Sequence, residues 1–345
     1  MYSVDEFIDA HLDKIRYVTD KRKFLVWIPE KNVWQYIDND YVLYFNHGIS
    51  WLKSATKNIF DVKNLLTRLK KISSIQIQST DVNVDSWILP CSNCYIDLKK
   101  FHDNEPDFVI GDEKKCMQFY STRSTGTDFN PDSDSDLVYE TFRFPFRLET
   151  EFEQFMKIAS TSLVDDNLIK KFVILYGDRD SGGHTLSRVI DQMLGDFSFY
   201  SDLNYFLLPW FKQNIKASLV KKFVKMRFVV VDEIFDTRKI SGEVLNKMIG
   251  VENVRYYTDR GILVEIPSKF TVFGVYHNRF PQFKNVEQDF VEKNTIVFRL
   301  KKNMYEFKPY AESKIEDKLA RDRYRSAILN LLLRYLRKYF NEGLW

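Results

Sequence analysis

The sequence has few cysteines, no strong excess of charge of either sign, and no long hydrophobic run. Three cysteines in 345 residues, an odd number, argue for a reducing compartment. With 51 basic and 48 acidic residues the net charge is +3, so there is no bulk basic signature and any nucleic-acid contact has to be local. No apolar run is long enough to span a bilayer, and Met1-Tyr-Ser-Val-Asp-Glu6 lacks the basic region and apolar segment of a signal peptide. A cytoplasmic location without a membrane partner is therefore expected. Internal repeats and low-complexity segments are absent too. What remains is an ordinary globular composition, 44% hydrophobic and 29% charged, in a chain long enough for two domains.

The most informative stretch is Phe172-Val-Ile-Leu-Tyr-Gly-Asp-Arg-Asp-Ser-Gly-Gly-His-Thr-Leu186. An apolar run leads into a turn rich in Gly and Asp, and Leu186 to Leu194 then has helical periodicity. This reads as buried strand, tight loop and amphipathic helix. Such a loop offers free backbone N–H groups at a helix N-terminus, a ready phosphate site. Gly177 and Gly182 have the spacing of a phosphate-binding loop, but the Lys and the Ser or Thr that should follow are replaced by Gly183 and His184. Sliding the frame by one residue recovers a hydroxyl at Thr185 but still no lysine. The candidate nucleotide-binding residues are Gly177, Ser181, Gly182, Gly183, His184 and Thr185.

Ahead of this stretch, residues 1–145 read as a mixed α/β module. Asp5 to Tyr17 is helical in period, Phe24–Ile28 and Val33–Ile37 form a hairpin, and Asp40 to Leu69 is largely helical. The basic cluster Arg68-Leu-Lys-Lys71 reads as a solvated helix face rather than a nucleic-acid patch. Cys91-x-x-Cys94 has too few companion ligands for zinc and reads as strand and turn. Residues 121–140, with Asp128, Asp132, Asp134 and Asp136, lack the Gly and Glu of a calcium loop and read as a solvated linker. A domain boundary is placed near residue 145.

After the loop, a second helix is expected around Lys212 to Val224, and Arg227 to Ile234 is a buried strand ending in Asp232 and Glu233. Gly242 to Ile249 is helical. Val254 to Ile266 forms a hairpin turning at Asp259-Arg260-Gly261. Phe270 to Tyr276 is a strand delivering His277, Asn278 and Arg279, and Thr295 to Leu300 is a further strand. Ile315 to Phe340 is a long helical region. In an α/β core, ligands sit at the C-terminal ends of the strands, so the loop, Asp232–Glu233 and Asn278 are expected to converge. Asp232 would then hold Mg²⁺, Glu233 would activate a water, and Asn278 would contact the terminal phosphate or that water. Taken singly, these residues read as a strand-end pair capping a helix and as a turn residue before Pro281.

In this order the motifs resemble those of superfamily 3 helicases, of the poxvirus, phage and plasmid primase-helicase type. The resemblance rests on Leu175–Leu186, Leu194-Gly-Asp196, Arg227–Glu233, Leu245–Arg255, Phe273–Pro281 and Ser326–Leu344, with Asn93–Leu98 and Phe129-Asn-Pro131 ahead of them. It implies a P-loop NTPase core of the superfamily 3, AAA+-like type over 146–305, behind the N-terminal α/β module and followed by a C-terminal helical lid over 306–345. It implies ATP and Mg²⁺ as cofactors, a homo-oligomer, usually a hexamer, around single-stranded DNA in a central pore, replication partners, and a place in host cytosol or at a viral replication site. By carry-over Lys247 and Arg255 lie near the pore, with Arg260 a further DNA-binding candidate; for each, the plainer reading is a solvated surface charge. The chain is expected to lack both the family's C-terminal DNA-binding extension and a primase domain.

The departures from the pattern bear on activity. Gly183 stands where a lysine neutralises phosphates, and charged hydrogen bonds of this kind are worth about 1.5–3 kcal/mol each. His184 stands where a hydroxyl binds Mg²⁺, although imidazole suits Zn, Cu or Ni better. The place of the arginine finger, worth roughly 10³–10⁵ in rate, reads Glu292-Lys-Asn294, and Asp178 and Asp180 add negative charge beside the phosphate position. Two expectations follow: an ATP-dependent helicase with an unusual loop, or a non-hydrolysing DNA-binding or ring-forming subunit that partners an active copy.

Overall fold

The structure is a computed structural model, described here for residues 4–37, 62–202, 225–232, 239–257, 262–277, 279–300, 303–307 and 315–345. The helix expected around Lys212 to Val224 and most of the one expected from Asp40 lie outside the described residues. The chain divides into two compact units, one of residues 1–97 and 109–124 and one of residues 98–108 and 125–345. The boundary expected near residue 145 falls inside the second unit.

In the first unit α1 (Val4–His11) precedes β1 (Ile15–Val18), β2 (Lys23–Ile28) and β3 (Val33–Ile37). The helical period read through Tyr17 thus stops early, and the chain enters a strand. β2 and β3 form the expected hairpin, and Asn32 closes the turn in the left-handed region at φ 53°. After α2 (Val62–Leu69), β4 (Gln76–Ile77) pairs in parallel with β1 and completes the order β3-β2-β1-β4. β2 is apolar at nearly every position because both its faces are covered. Phe24, Val26 and Ile28 meet Phe7 of α1 and Leu65 and Leu69 of α2. Leu25 and Trp27 point the other way, toward Trp34, Tyr95, Cys116 and Met117. The indole N–H groups of Trp27 and Trp34 donate to Glu113 Oε1 at 2.7 Å and to the Met117 carbonyl at 2.9 Å, so neither is buried unsatisfied. β5 (Ile88–Pro90), β6 (Tyr95–Asp97) and β7 (Val109–Ile110) make a second small antiparallel sheet. Cys91 and Cys94 sit in its β5–β6 turn, where the Cys91 N–H donates to the Cys94 carbonyl at 2.8 Å.

The second unit is built on five parallel strands: β8 (Phe172–Gly177), β9 (Ser198–Asp202), β10 (Phe228–Asp232), β14 (Thr271–His277) and β16 (Thr295–Leu300). Their order is β16-β8-β14-β10-β9. All pairs are parallel, so all five carboxyl ends lie along one edge. Its three central strands are buried on both faces, as the strands of parallel sheets are. Before it come α3 (Asp136–Arg143) and α4 (Glu149–Ser160), and between β8 and β9 runs α5 (Gly183–Leu194). Phe155 of α4 meets Phe273 and Phe298 edge-on on one face. On the other, α6 (Gly242–Met248) buries Val244, Leu245 and Met248 against Val229, Val231 and Val272. Ahead of α6, β11 (Ile240–Ser241) pairs with β15 (Phe283–Lys284), and β12 (Val254–Tyr257) and β13 (Leu263–Ile266) form the expected hairpin. α7 (Gln288–Asn294) leads into β16, and α8 (Ile315–Leu319) and α9 (Asp322–Glu342) close the chain.

The stretch read as a solvated linker is only partly one. Thr125 and Thr127 are buried, the Thr127 hydroxyl donates to the Met193 carbonyl at 3.0 Å, and Asn330 of α9 holds the carbonyls of Asn130 and Ser133 at 2.7 Å each. Its polar composition satisfies backbone groups inside the unit rather than facing water alone. Among the described residues no helix is long and apolar enough to cross a membrane.

Gly274 in β14 is a packing requirement. A Cβ there would lie 2.5 Å from Phe172 Cζ and 2.6 Å from Tyr276 Cε2, and those two rings pack edge-on in the core. We expect Gly274→Val to lower stability by about 1–3 kcal/mol, the usual cost of overpacking, measured by urea denaturation. A midpoint equal to the parent's would show that the rings make room freely.

Candidate functional site

The phosphate-loop outline is present in the fold. β8 runs buried to Leu175 and delivers Gly177 to the carboxyl edge, and α5 begins at Gly183 with Gly182 as its N-cap. Two close approaches require the glycines. A Cβ on Gly177 would lie 2.5 Å from the Leu300 carbonyl oxygen and 2.5 Å from Ser181 Oγ, and at Gly182, which adopts φ 94°, a Cβ would come within about 3 Å of Met304 and Pro145. The Ser181 N–H donates to the Asp178 carbonyl at 3.0 Å and the Met304 N–H to the Asp180 carbonyl at 2.8 Å, which pins the loop from both sides. Gly183 faces the sheet: its Cβ would stand 3.1 Å from Val275 Cγ1, so the third glycine lets the helix approach the strands.

His184 is the loop residue that reaches the end of β10. His184 Nε2 stands 3.6 Å from Asp232 Oδ1 at the end of β10. The alternative frame does not place Thr185 there. Thr185 is buried, and its hydroxyl donates to Glu316 Oε1 of α8 at 2.6 Å. Ser181 is also buried, folded back over Gly177.

His184 belongs to a linked set. Its Nδ1 is 2.7 Å from Tyr200 Oη and its Nε2 is 2.6 Å from Nε2 of His277, at the end of β14. Tyr200 Oη lies 3.4 Å from Asp232 Oδ2, and the Arg188 guanidinium lies 4.0 Å from the centre of the Tyr200 ring. One assignment of hydrogens satisfies these three hydrogen bonds. His277 Nε2–H donates to His184 Nε2, His184 Nδ1–H donates to Tyr200 Oη, and the tyrosine hydroxyl donates to the carboxylate. That assignment makes His184 neutral. Burial pushes the His184 pKa below the usual imidazole value, and His277, Arg188 and Arg179 push the same way, while Asp232 opposes them. Burial, followed by the Asp232 charge, raises the Tyr200 hydroxyl well above its ordinary range, so it stays a donor.

This arrangement does not fit Mg²⁺ with a nucleoside triphosphate. The Mg²⁺ position holds an imidazole, the Asp232 carboxylate lies beside that imidazole and a tyrosine, and the cation in the loop is the exposed Arg179 between Asp178 and Asp180. Glu233, Asn278 and Arg260 lie outside the described residues. Lys247 on α6 pairs with Glu243 one turn back, its side chain only 12% exposed. Arg255 pairs across the hairpin with Glu265 at 2.6 Å and is 68% exposed. Neither lies in the His184 set. Sequence reasoning places His277 at a strand end without giving it a role and misses Tyr200, Arg188 and Glu316. The signal for His277 is its place directly before the sensor asparagine position. Tyr200 lies on a strand that the sequence pattern does not announce.

No family model matches the sequence, and no curated protein matches it. Solved structures do. Among them are the A-form apo structure of the NrS-1 C-terminal region, at 9% identity and TM-score 0.52, the A-form apo structure of its residues 305–718, at 9% and 0.50, and a further apo structure of that region, at 9% and 0.52. Each match covers 94% of this chain and 68% of the other. At this identity the likeness is one of fold.

The neutral His184 carries a pH signature. The unfolded histidine binds a proton near pH 6.5 and the folded one only at lower pH, so stability is full above that value and is lost as pH falls from about 6.5 toward the folded pKa. We expect the melting temperature of the parent protein to fall over this window, and His184→Asn to flatten the fall. An unchanged pH profile in the variant would show that His184 does not carry it.

Proposed function

We propose that this protein is a helicase-like DNA-replication protein of a virus or mobile element whose nucleotide site does not hydrolyse ATP, and that it acts as a DNA-binding ring subunit beside an active helicase. The sequence resemblance to superfamily 3 helicases supports the process. The fold supports it as far as it goes, with a five-stranded parallel sheet and a glycine loop at its carboxyl edge. The observation that carries the loss of hydrolysis is the His184–His277 contact at 2.6 Å, with Asp232 beside it. A triphosphate with its metal would have to displace this set without a loop lysine to bind in exchange. The second reading, a working helicase, is favoured by the intact loop outline and by Asp232 at the end of β10.

A steady-state ATPase measurement with and without single-stranded DNA separates the two. We expect no turnover above background, and no change on Asp232→Asn or Glu233→Gln. DNA-stimulated turnover that either substitution abolishes would establish the working helicase. Replacing Gly183 by Lys is expected to destabilise the protein before it restores binding, because the new side chain starts against Val275.

DNA binding by the hairpin has its own test. Arg255→Gln together with Arg260→Gln should weaken binding to a single strand at low salt. It should also lower the slope of log K against log salt by about 0.7 for each phosphate that is no longer neutralised. A slope equal to the parent's would remove the hairpin from the interface.

A further inference from the structure

A second site lies away from the phosphate loop, within the same unit. The segment Leu98–Phe108, the loop through Phe129 and Pro131, and one side of α9 enclose a cleft of 290 Å³. This is at the small end of the roughly 300–1,000 Å³ of small-molecule sites, enough for one nucleotide-sized group. Its apolar wall is aromatic. Phe101 and Phe108 meet edge-on at 5.2 Å, and Phe108 and Phe129 at 6.2 Å. Phe101 and Phe129 are buried, while Phe108 is only half-buried and so has ring surface to offer.

The polar wall is cationic. Arg334 is matched by Asp134 at 2.9 Å. Arg337 has no carboxylate partner among the described residues. Its guanidinium lies 4.0 Å from the centre of the Phe101 ring and one Nη donates to the Phe101 carbonyl at 3.0 Å, while its Nε is buried with no hydrogen-bond partner. The cleft therefore keeps a positive charge that no described carboxylate offsets, held against an aromatic ring. Asn330 is oriented as well: its amide nitrogen is surrounded by the carbonyls of Asn130, Pro131 and Ser133 at 2.7, 3.3 and 2.7 Å. This fixes which end is nitrogen and leaves its carbonyl oxygen to accept.

We propose that this cleft binds a nucleoside phosphate, either free or as one unit of a single strand. The base lies against Phe108, the phosphate takes the terminal Nη donors of Arg337, and Asn330 Oδ1 accepts from the base. Aromatic stacking beside an arginine is the chemistry by which single strands are held without sequence preference, and a planar guanidinium suits a phosphate better than a lysine would. The inference stands on the cleft alone. None of its residues belongs to the phosphate loop or the β12–β13 hairpin, so it survives or fails separately from the reading of those elements.

The test is fluorescence anisotropy of a labelled twelve-residue oligothymidylate with the full chain, competed by dAMP, by thymidine and by inorganic phosphate. We expect Arg337→Gln and Phe108→Leu each to weaken binding about tenfold or more, and Lys31→Gln, an exposed position in the first unit, to leave it unchanged. Competition by dAMP at concentrations where thymidine and phosphate do nothing marks the free nucleotide as sufficient; competition only by longer strands marks the strand as the ligand. Should the variants unfold, photocrosslinking of a 4-thiothymidine strand to the parent protein replaces them, with adducts expected in 98–108, 129–134 or α9. Absence of binding by the parent protein, unchanged affinity in both variants, or adducts confined to other segments would overturn the proposal.

Discussion

The site depends on one constraint, the all-parallel pairing of the central sheet. Neighbouring strands lie about 4.8 Å apart. With Gly274 paired to Ile174, and Val275 to both Leu175 and Asp232, the ends of β8, β14 and β10 are fixed side by side. Residues far apart in sequence are then forced to one rim whatever their chemistry. The glycine loop adds the second half of the constraint. Gly177 permits the Leu300 carbonyl and Ser181 to close on the end of β8, and Gly182 turns the chain into α5. Together they aim the first turn of α5 across the rim and bring His184 to Asp232 and His277.

At that rim, charge is arranged differently from what a metal–triphosphate site needs. A phosphate site gathers cations around an anion. Here two imidazoles and a tyrosine hydroxyl face one carboxylate, and the linked hydrogen bonds run from His277 to Asp232 in a single direction. Partly buried, such a chain is cooperative when all its members are satisfied and costly when one is removed. The Thr185 hydroxyl, which could have served a metal, is drawn away to Glu316.

Much of this was legible in the residues. The apolar run 172–176 followed by Gly177 and Gly182 gave strand, loop and helix, and the β2–β3 and β12–β13 hairpins could be read from alternation and turn residues. Asp232 and the end of β14 could be assigned to the same edge because parallel strands present their carboxyl ends together. What could not be read was which of two frames the loop uses. Both leave out the lysine, and what distinguishes them is the close approach of helix to sheet at Gly183, where a Cβ would stand 3.1 Å from Val275 Cγ1. Tyr200 was invisible for a related reason: β9 is a short edge strand whose pairing partner, β10, lies some thirty residues downstream. The aromatic wall of the second cleft was hidden because Phe101 and Phe108 lie in a stretch without a clear period and Phe129 in the segment read as a linker.

The retained Asp232 can be weighed in this light. An acidic residue kept at the end of β10 argues for hydrolysis only when nothing else explains it. In this protein the carboxylate terminates the hydrogen-bond chain that begins at His277, accepting from Tyr200 and lying 3.6 Å from His184. Its loss would leave the Tyr200 hydroxyl proton without its acceptor in a partly buried place, a cost of about 1–3 kcal/mol. Asp232 therefore has a structural role at this rim whatever the loop binds, as the glycines of the loop have in packing.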